Sequence, residues 1–299
     1  MIIANSWGVT QGQIIISNGT AAPSQQPFET VAASQSPRHY WKLDETIDGS
    51  SGQPTDNYYN RAADTMGNGD LGYFPMSGVA NATSSRADGT GAAYDGITGT
   101  SVEARANDGN TYLNDRGQLS GPDFSLVLGY KHIDWALSDG HFCSMFNDYY
   151  DIGTSNNIEY GFQRQYSSNA LDFIITDSVG GVGNYTEYTT TLVPDMTVSN
   201  NGIILNDGSW HLIGMSLDYS NTQTLKFYAD GIELANIDIS AWSGNWSANN
   251  PLPQSYFSPA GPVAYGPSWI GVDEVLMYQR AITSSEFTDL YTAWAWNGI

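Results

Sequence analysis

Two loops combine aromatic rings with polar side chains, the combination that sugar-binding sites use. Sugars present CH faces that lie on aromatic rings, and hydroxyls that pair with carboxylates and amides. In one loop Trp242 and Trp246 flank Asn245, and in the other Tyr149 and Tyr150 stand between acidic residues. We predict these five residues as glycan-binding candidates. The alternative is that a tryptophan in a long loop folds back onto the core.

The acidic residues of two loops make a calcium site conceivable. Calcium takes about six to eight oxygen ligands. Segments 146–151 and 63–72 each place several oxygen-bearing side chains within a few residues, although Asp-Gly and Asn-Gly pairs are also ordinary turn residues. No twelve-residue EF-hand loop occurs, so calcium is an open expectation and no cofactor is assigned. The candidate ligands are Asp148, Asp151, Asp64 and Asp70.

Composition and charge narrow the possible partners. The chain has 299 residues, of which 40% are hydrophobic, so it can build a substantial core. It carries 31 acidic against 10 basic residues, a net charge of -21, which would repel a nucleic-acid backbone. No apolar run reaches the roughly 20 residues of a membrane span. We therefore expect neither nucleic acid binding nor membrane insertion.

A change in composition near Pro37 divides the chain. Residues 1–37 contain a single charged residue, Glu29, and are rich in Gln, Ser, Ala, Thr and Pro. This composition is typical of an extended arm, which either packs on its own domain or attaches to a partner in an assembly. Residues 38–299 contain short alternating runs separated by Gly, Asn, Asp and Pro, which is typical of a single β domain.

The alternation predicts strands of an antiparallel sandwich. Phe124, Leu126, Leu128 and Tyr130 fall on one strand face because side chains alternate with period two. Residues 211–217 repeat the pattern. Asp-Gly at 230–231 between two such runs predicts a two-residue hairpin, since its turn needs positive φ at both positions.

Only the C-terminus is predicted to be helical. Thr283 and Glu286 have capping-box spacing, in which each side chain bonds the other residue's backbone N–H. Phe287, Leu290 and Trp294 then recur at helical spacing. The predicted fold class is therefore all-β, a two-sheet antiparallel jelly-roll sandwich with one C-terminal amphipathic helix and an extended N-terminal arm.

Four groups of short motifs occur in order along the chain. The first group is an aromatic strand with Asp-Glu at 40–45 and a glycine-rich loop at 63–72, and the second is Tyr-Asp-Gly at 94–96, Val-Glu at 102–103 and Phe-Ser at 124–125. The third group is Trp-His at 210–211 with Tyr-x-Asp-Gly at 228–231, and the fourth is Asp-Glu-Val at 273–275. Together they resemble the laminin G type of concanavalin A-like jelly rolls, in the short form common in bacterial and phage surface proteins. The resemblance covers residues 38–296 and implies glycan or protein binding, in some cases through calcium.

The same superfamily includes glucanases, so catalysis has to be considered. The Glu-x-Asp-x-x-Glu strand motif of those relatives is absent, as are the nucleophile elbow and the phosphate-binding loop. Asp273 and Glu274 are adjacent, so we predict opposite faces and a role as hydrogen-bond acceptors at the strand-to-helix corner. We predict that the protein is not an enzyme.

An extracellular type of module with an arm and no visible export signal favours one functional hypothesis. We expect a virion surface protein of a bacteriophage, either a capsid decoration or a tail-borne adhesin. Residues 1–37 would bind other virion proteins, and the jelly roll would contact glycans or the host surface as a symmetric homo-oligomer. The alternatives are a bacterial surface or secreted carbohydrate-binding module and a glycoside hydrolase of the concanavalin A-like superfamily.

Overall fold

The structure of the chain is a computed structural model. It describes residues 26–42, 61–62, 65–66, 71–74, 82–83, 92–95, 101–104, 123–132, 143–148, 159–164, 169–178, 185–242, 255–257 and 270–295. Side chains are described for 26–42, 65–66, 123–132, 169–173, 188–242 and 273–295.

The described strands form two antiparallel sheets. Sheet A contains β1 (His39–Trp41), β4 (Ala82–Thr83), β5 (Ala92–Asp95), β7 (Phe124–His132), β12 (Trp210–Asp218), β13 (Thr224–Ala229), β14 (Ile232–Asp238) and β16 (Ile270–Tyr278). Sheet B contains β2 (Arg61–Ala62), β3 (Leu71–Phe74), β6 (Ser101–Ala104), β8 (Cys143–Asp148), β9 (Glu159–Arg164), β10 (Leu171–Ser178), β11 (Tyr185–Val193) and β15 (Ser255–Phe257).

The first and last strands of the sequence, β1 and β16, pair with each other in the middle of sheet A. Its order is β14-β13-β12-β7-β16-β5-β4, with β1 also paired to β16. Sheet B has the order β11-β10-β9-β8-β15-β6-β3-β2. Two helices complete the described elements, α1 (Phe28–Ser34) and α2 (Ser284–Trp294). The predicted all-β sandwich with a C-terminal helix is confirmed.

The space between the sheets holds the first core cluster. Alternate residues of β7 and β12, among them Leu126, Leu128 and Met215, pack there against Leu171 and Phe173 of β10. These contacts confirm the faces that the period-two pattern predicted. Strands with one face in such a core are expected to carry their polar residues on the other face.

Sheet A departs from that expectation because its second face is also buried. Val127, Leu212 and Tyr228 lie on this face and form a second core cluster with Phe28 of α1 and Phe287 of α2. The molecule therefore has three layers in its described part: sheet B, sheet A and the two helices. Burial on both faces explains why β7 is buried continuously from Phe124 to Tyr130.

Helix α2 begins as the sequence predicts. The Thr283 side chain accepts a hydrogen bond from the Glu286 backbone N–H, and Glu286 accepts one from the Thr283 backbone N–H. The apolar side of the helix is buried through Phe287, Leu290 and Trp294. Neither described helix is long and apolar enough to cross a membrane.

Helix α1 was not predicted, and it lies within the segment assigned to the extended arm. It follows Pro27, has no side-chain cap, and spans seven residues, so its local signals are weak. Tertiary contacts hold it instead: Phe28 and Ala32 are buried, and Arg280 donates a 2.9 Å hydrogen bond to the Gln35 carbonyl. This part of residues 1–37 packs on the sandwich.

The Asp-Gly hairpin forms as predicted. Asp230 and Gly231 have φ values of 47° and 80°, and the flanking residues Ala229 and Ile232 are paired. A Cβ at Gly231 would lie 2.8 Å from the Tyr291 ring. Glycine here therefore allows both the left-handed turn and the close approach of α2.

The contact between α2 and sheet A generates a stability prediction. A Cβ at Gly214 of β12 would lie 2.5 Å from the Phe287 ring and 3.2 Å from Val127. We expect Gly214→Val to lower the free energy of unfolding by about 2 kcal/mol or more, because overpacking separates helix from sheet. Urea denaturation measures this loss.

The matched control removes the Phe287 ring, which a side chain at position 214 would contact. In a Phe287→Ala background, Gly214→Ala should cost less than it does in the wild-type chain, since the two positions are coupled by contact. Strict additivity of the two changes would contradict this account of the helix-sheet contact.

Candidate functional site

The structure describes only part of the predicted glycan and metal sites. Trp242 is described with its side chain, and Asp148 is the last residue of β8 with its backbone alone. The glycan candidates Trp246, Asn245, Tyr149 and Tyr150 and the metal candidates Asp151, Asp64 and Asp70 lie outside the described residues. Their roles stay predictions.

Trp242 lies where the two sheets end on the same side of the molecule. It follows β14, the edge strand of sheet A, and stacks on Tyr188 of β11, the edge strand of sheet B, with ring centroids 5.4 Å apart. On the core side it stacks on Phe173 at 6.3 Å. Trp242 and Tyr188 are both partly exposed and packed on the first core cluster. We call these two residues the edge pair.

Backbone hydrogen bonds fix the position of Trp242. Its N–H donates to the Ile239 carbonyl at 2.9 Å, and its carbonyl accepts a 2.8 Å bond from the Tyr219 hydroxyl. Tyr219 is held in turn, because its backbone N–H donates to Asp123 Oδ1 at 2.8 Å. A ring fixed in this way needs little further ordering when a ligand stacks on it.

Polar groups lie on the turn that leads from β14 to Trp242. Asp238 is exposed and accepts a 2.8 Å bond from the Ser240 N–H, which lowers the pKa of the Asp238 carboxyl. The carboxylate is therefore ionised at neutral pH, and Ser240 adds an exposed hydroxyl. The rings of the edge pair therefore offer a stacking surface, and Asp238 and Ser240 offer hydrogen-bond acceptors for hydroxyl groups. Sequence reasoning found Trp242 but missed Tyr188, which is distant in the chain.

Asp172 is a buried carboxyl beside this region. It is 1% exposed, and its Oδ1 has no hydrogen-bond partner among the described residues. Burial raises the pKa of the Asp172 carboxyl, and a hydrogen bond from Thr191 only partly offsets that rise. Asp172 precedes Phe173 on β10, so the alternation of the strand places it on the opposite face of sheet B from the edge pair.

Asp273 and Glu274 lie in the middle of β16, not at the strand-to-helix corner as predicted. The register to β7 shifts between Asp273 and Leu276, and Glu274 has φ 50°, a conformation that costs a non-glycine residue about 1 to 3 kcal/mol. Glu274 accepts a 2.5 Å hydrogen bond from the Tyr40 hydroxyl, which confirms its predicted role as an acceptor. Both carboxyls are at most 2% exposed, which keeps them away from a substrate in solution.

His211 lies between two carboxylates at the start of the hairpin. Its Nδ1 is 2.7 Å from Asp230 Oδ2 and its Nε2 is 3.2 Å from Asp207 Oδ1. Burial by itself would lower the pKa of His211, but the hydrogen bonds and charges of the two aspartates outweigh it, so the pKa is raised above 6.5. Asp230 also accepts a bond from the Leu212 N–H, which ties the hairpin turn to β12.

No group of three His, Cys, Asp or Glu within the described part of the chain could hold a metal ion. The proposed calcium ligands are not among those residues apart from the backbone of Asp148. A calcium site thus stays a prediction for the loops at 63–72 and 146–151.

Comparison with known proteins gives matches of structure but not of sequence. No protein-family model matches the chain, and no curated protein matches it significantly. A solved structure of the botulinum neurotoxin serotype D binding domain is similar, with a TM-score of 0.52 and 8% identity over 85% of this chain and 51% of that one.

Two further solved structures show the same likeness. The serotype D ligand-binding domain in complex with N-acetylneuraminic acid has a TM-score of 0.54 and 10% identity, covering 87% of this chain and 52% of that one. The binding domain of Paraclostridial Mosquitocidal Protein 1 has a TM-score of 0.50 and 14% identity, covering 80% and 52%. This chain spans about half the length of each, and at this identity the likeness shows a shared β-sandwich fold alone.

The geometry around His211 generates a prediction of pH-dependent stability. A raised pKa in the folded state means that the charged form of His211 stabilises the fold fully below about pH 6.5 and that this contribution is lost as the pH rises through the raised value. We expect His211→Asn to cost about 2 kcal/mol near pH 5.5 and clearly less near pH 8.5.

Urea unfolding of both proteins at the two pH values measures the difference. Thr189→Ala, at an exposed position on β11, serves as the control and should show no such dependence on pH. An equal loss of stability at both pH values for His211→Asn would contradict the charge-based account.

Proposed function

We propose that this domain binds carbohydrate without cleaving it. The observation that carries the proposal is the edge pair: Trp242 and Tyr188 stack at 5.4 Å and are partly exposed, and Trp242 also stacks on Phe173 on the core side. Rigid aromatic surfaces of this kind bind the CH face of a sugar ring. Asp238 and Ser240 on the adjoining turn provide the polar partners for sugar hydroxyls.

The solved neighbours give weaker support. They are binding domains, and one of them was solved with N-acetylneuraminic acid. Because this chain corresponds to about half of each neighbouring chain, the match does not transfer their ligands to it. The proposal therefore rests on the chain's own residues.

A binding role without catalysis agrees with the state of the described carboxyls. A glycosidase needs two carboxyls that face the bound sugar, separated by about 5 to 9.5 Å. The three most buried acids of the described part, Asp172, Asp273 and Glu274, are each at most 2% exposed. The Glu274 carboxylate already accepts a hydrogen bond from the Tyr40 hydroxyl. The proposal of a hydrolase would need carboxyls from elsewhere in the chain.

We further propose that the domain works on the surface of a bacteriophage virion, as a member of the short laminin G-like type. The segment 1–37 includes α1, which packs on α2 and on the face of sheet A opposite the edge pair. Binding to other virion proteins through this leading segment would leave the edge pair available for glycans or the host surface. A bacterial surface module is the alternative assignment.

Substitution of the edge pair tests the binding proposal. On a glycan array, we expect Trp242→Ala to reduce the signal of the bound neutral glycans by about 5- to 30-fold, since stacking of a sugar on an indole contributes about 1 to 2 kcal/mol. Trp242→Phe keeps an aromatic ring and should retain part of the signal.

The control for folding is Tyr291→Ala, which removes a partly exposed ring from α2 on the far side of sheet A. It should leave the array signal unchanged. Unchanged binding of neutral glycans by a folded Trp242→Ala protein, checked by circular dichroism, would refute the role of the edge pair. Absence of any glycan signal for the wild-type chain would refute the function itself.

The virion proposal has a separate test. Purified particles of the phage that encodes the chain should contain it as a repeated component on a denaturing gel, and a chain lacking residues 1–25 should no longer be incorporated. Particles without this chain would end the virion assignment and favour a bacterial surface module.

A further inference from the structure

The three lysines of this acidic chain differ in their partners. Lys42 lies 3.5 Å from Glu29, and Lys226 lies 3.0 Å from Glu233. Lys131 has no carboxylate within ion-pair distance among the described residues. Its ammonium instead lies over the Trp210 ring, 6.0 Å from the centroid. Lys131 thus differs from Lys42 and Lys226 in lacking a described carboxylate partner, in a protein with a net charge of -21.

The backbone register fixes this pair. Lys131, near the end of β7, and Trp210, the first residue of β12, are direct Cα partners on neighbouring strands. Directly opposed residues of an antiparallel pair lie on the same face. Trp210 packs on the second core cluster, so the face is the one that the helices cover further along the strands.

The Trp210 side chain has a single polar atom, and that atom is buried. The residue is partly exposed, whereas its indole Nε1 is buried and has no hydrogen-bond partner among the described residues. The exposed surface of the side chain is therefore the apolar ring. The turn before Trp210 is fixed by a 2.7 Å hydrogen bond from the Ser209 N–H to Asp207 Oδ1. Ser209, which immediately precedes Trp210 in the sequence, is exposed.

We infer that Lys131 and Trp210 form a second binding site, whose ligand is a sugar that carries a carboxylate. The CH face of such a sugar would lie on the indole, and its carboxylate would pair with the Lys131 ammonium, the combination of an aromatic face and a charge-assisted bond. A neutral sugar would leave the lysine charge unmatched. This site is separate from the edge pair, which lies where β11 and β14 border the gap between the sheets.

The net negative charge of the protein does not remove this preference. At about 0.15 M salt the Debye length is about 8 Å, so repulsion from distant carboxylates is screened while a contact pair is screened much less. Asp207, on the turn that precedes Trp210, lies 3.2 Å from His211 Nε2, so this carboxylate already has a partner other than Lys131.

The experiment compares two matched sugars on the full chain. Titration calorimetry at about 0.15 M salt uses trisaccharides that end in glucuronic acid or in sialic acid, each beside its carboxyl-reduced neutral counterpart. We expect at least one acidic sugar to bind about tenfold more tightly than its neutral counterpart. We expect Lys131→Gln to abolish that difference, and Lys131→Arg to keep most of it.

Two controls separate this site from the rest of the molecule. Lys226→Gln removes a lysine that is already paired and should leave the preference for the acidic sugar intact. Trp242→Ala should also leave it intact, which distinguishes failure of this site from failure of the edge pair. Trp210→Phe, which preserves packing, should lower the affinity for the acidic sugar and for its neutral counterpart by a similar factor.

The proposal is overturned if the folded wild-type chain binds neither acidic sugar or binds each acidic sugar no better than its neutral counterpart. It is also overturned if Lys131→Gln keeps the full preference. In that case the lysine stem only covers the indole from solvent.

Discussion

Burial of sheet A on both faces is the constraint on which the rest of the structure depends. One face packs against sheet B and the other against α1 and α2. Because β7 and β12 are apolar on both sides, neither face can be left in water without losing about 25 cal/mol for each Å² of apolar area. The helices are therefore part of the core, and Gly214 is needed where Phe287 approaches the sheet.

Two carboxylates that stabilise this layered body lie where regular strand pairing is interrupted. Glu274 lies in the bulge of β16, and Asp230 lies in the turn between β13 and β14. Each carboxyl has a specific donor, Tyr40 for Glu274 and the Leu212 N–H together with His211 for Asp230. These bonds offset the cost of taking the carboxyls out of water, and they engage the groups structurally.

The proposed binding surfaces lie where the layers end. Trp242 and Tyr188 lie at the border between the two sheets, and Trp210 lies at the end of two strands of sheet A beyond the main helix contacts. At such borders an aromatic ring can rest on the core with one side and contact solvent with another. The same contacts that stabilise the body therefore hold these rings in place, so that little ordering remains to be done on binding.

The sequence by itself determined the features that depend on local spacing. The period-two strand faces around Leu126, the Asp-Gly turn at 230–231 and the capping box at Thr283 are set by residues a few positions apart, and each was predicted. Tertiary structure alone decided the features that join distant segments. Helix α1 has no strong local signal and forms because Phe28 finds a partner layer, and the bulge at Glu274 is set by pairing with β7 and β1. Tyr188 meets Trp242 only because the edge strands of the two sheets end on the same side, a proximity that no spacing along the chain encodes.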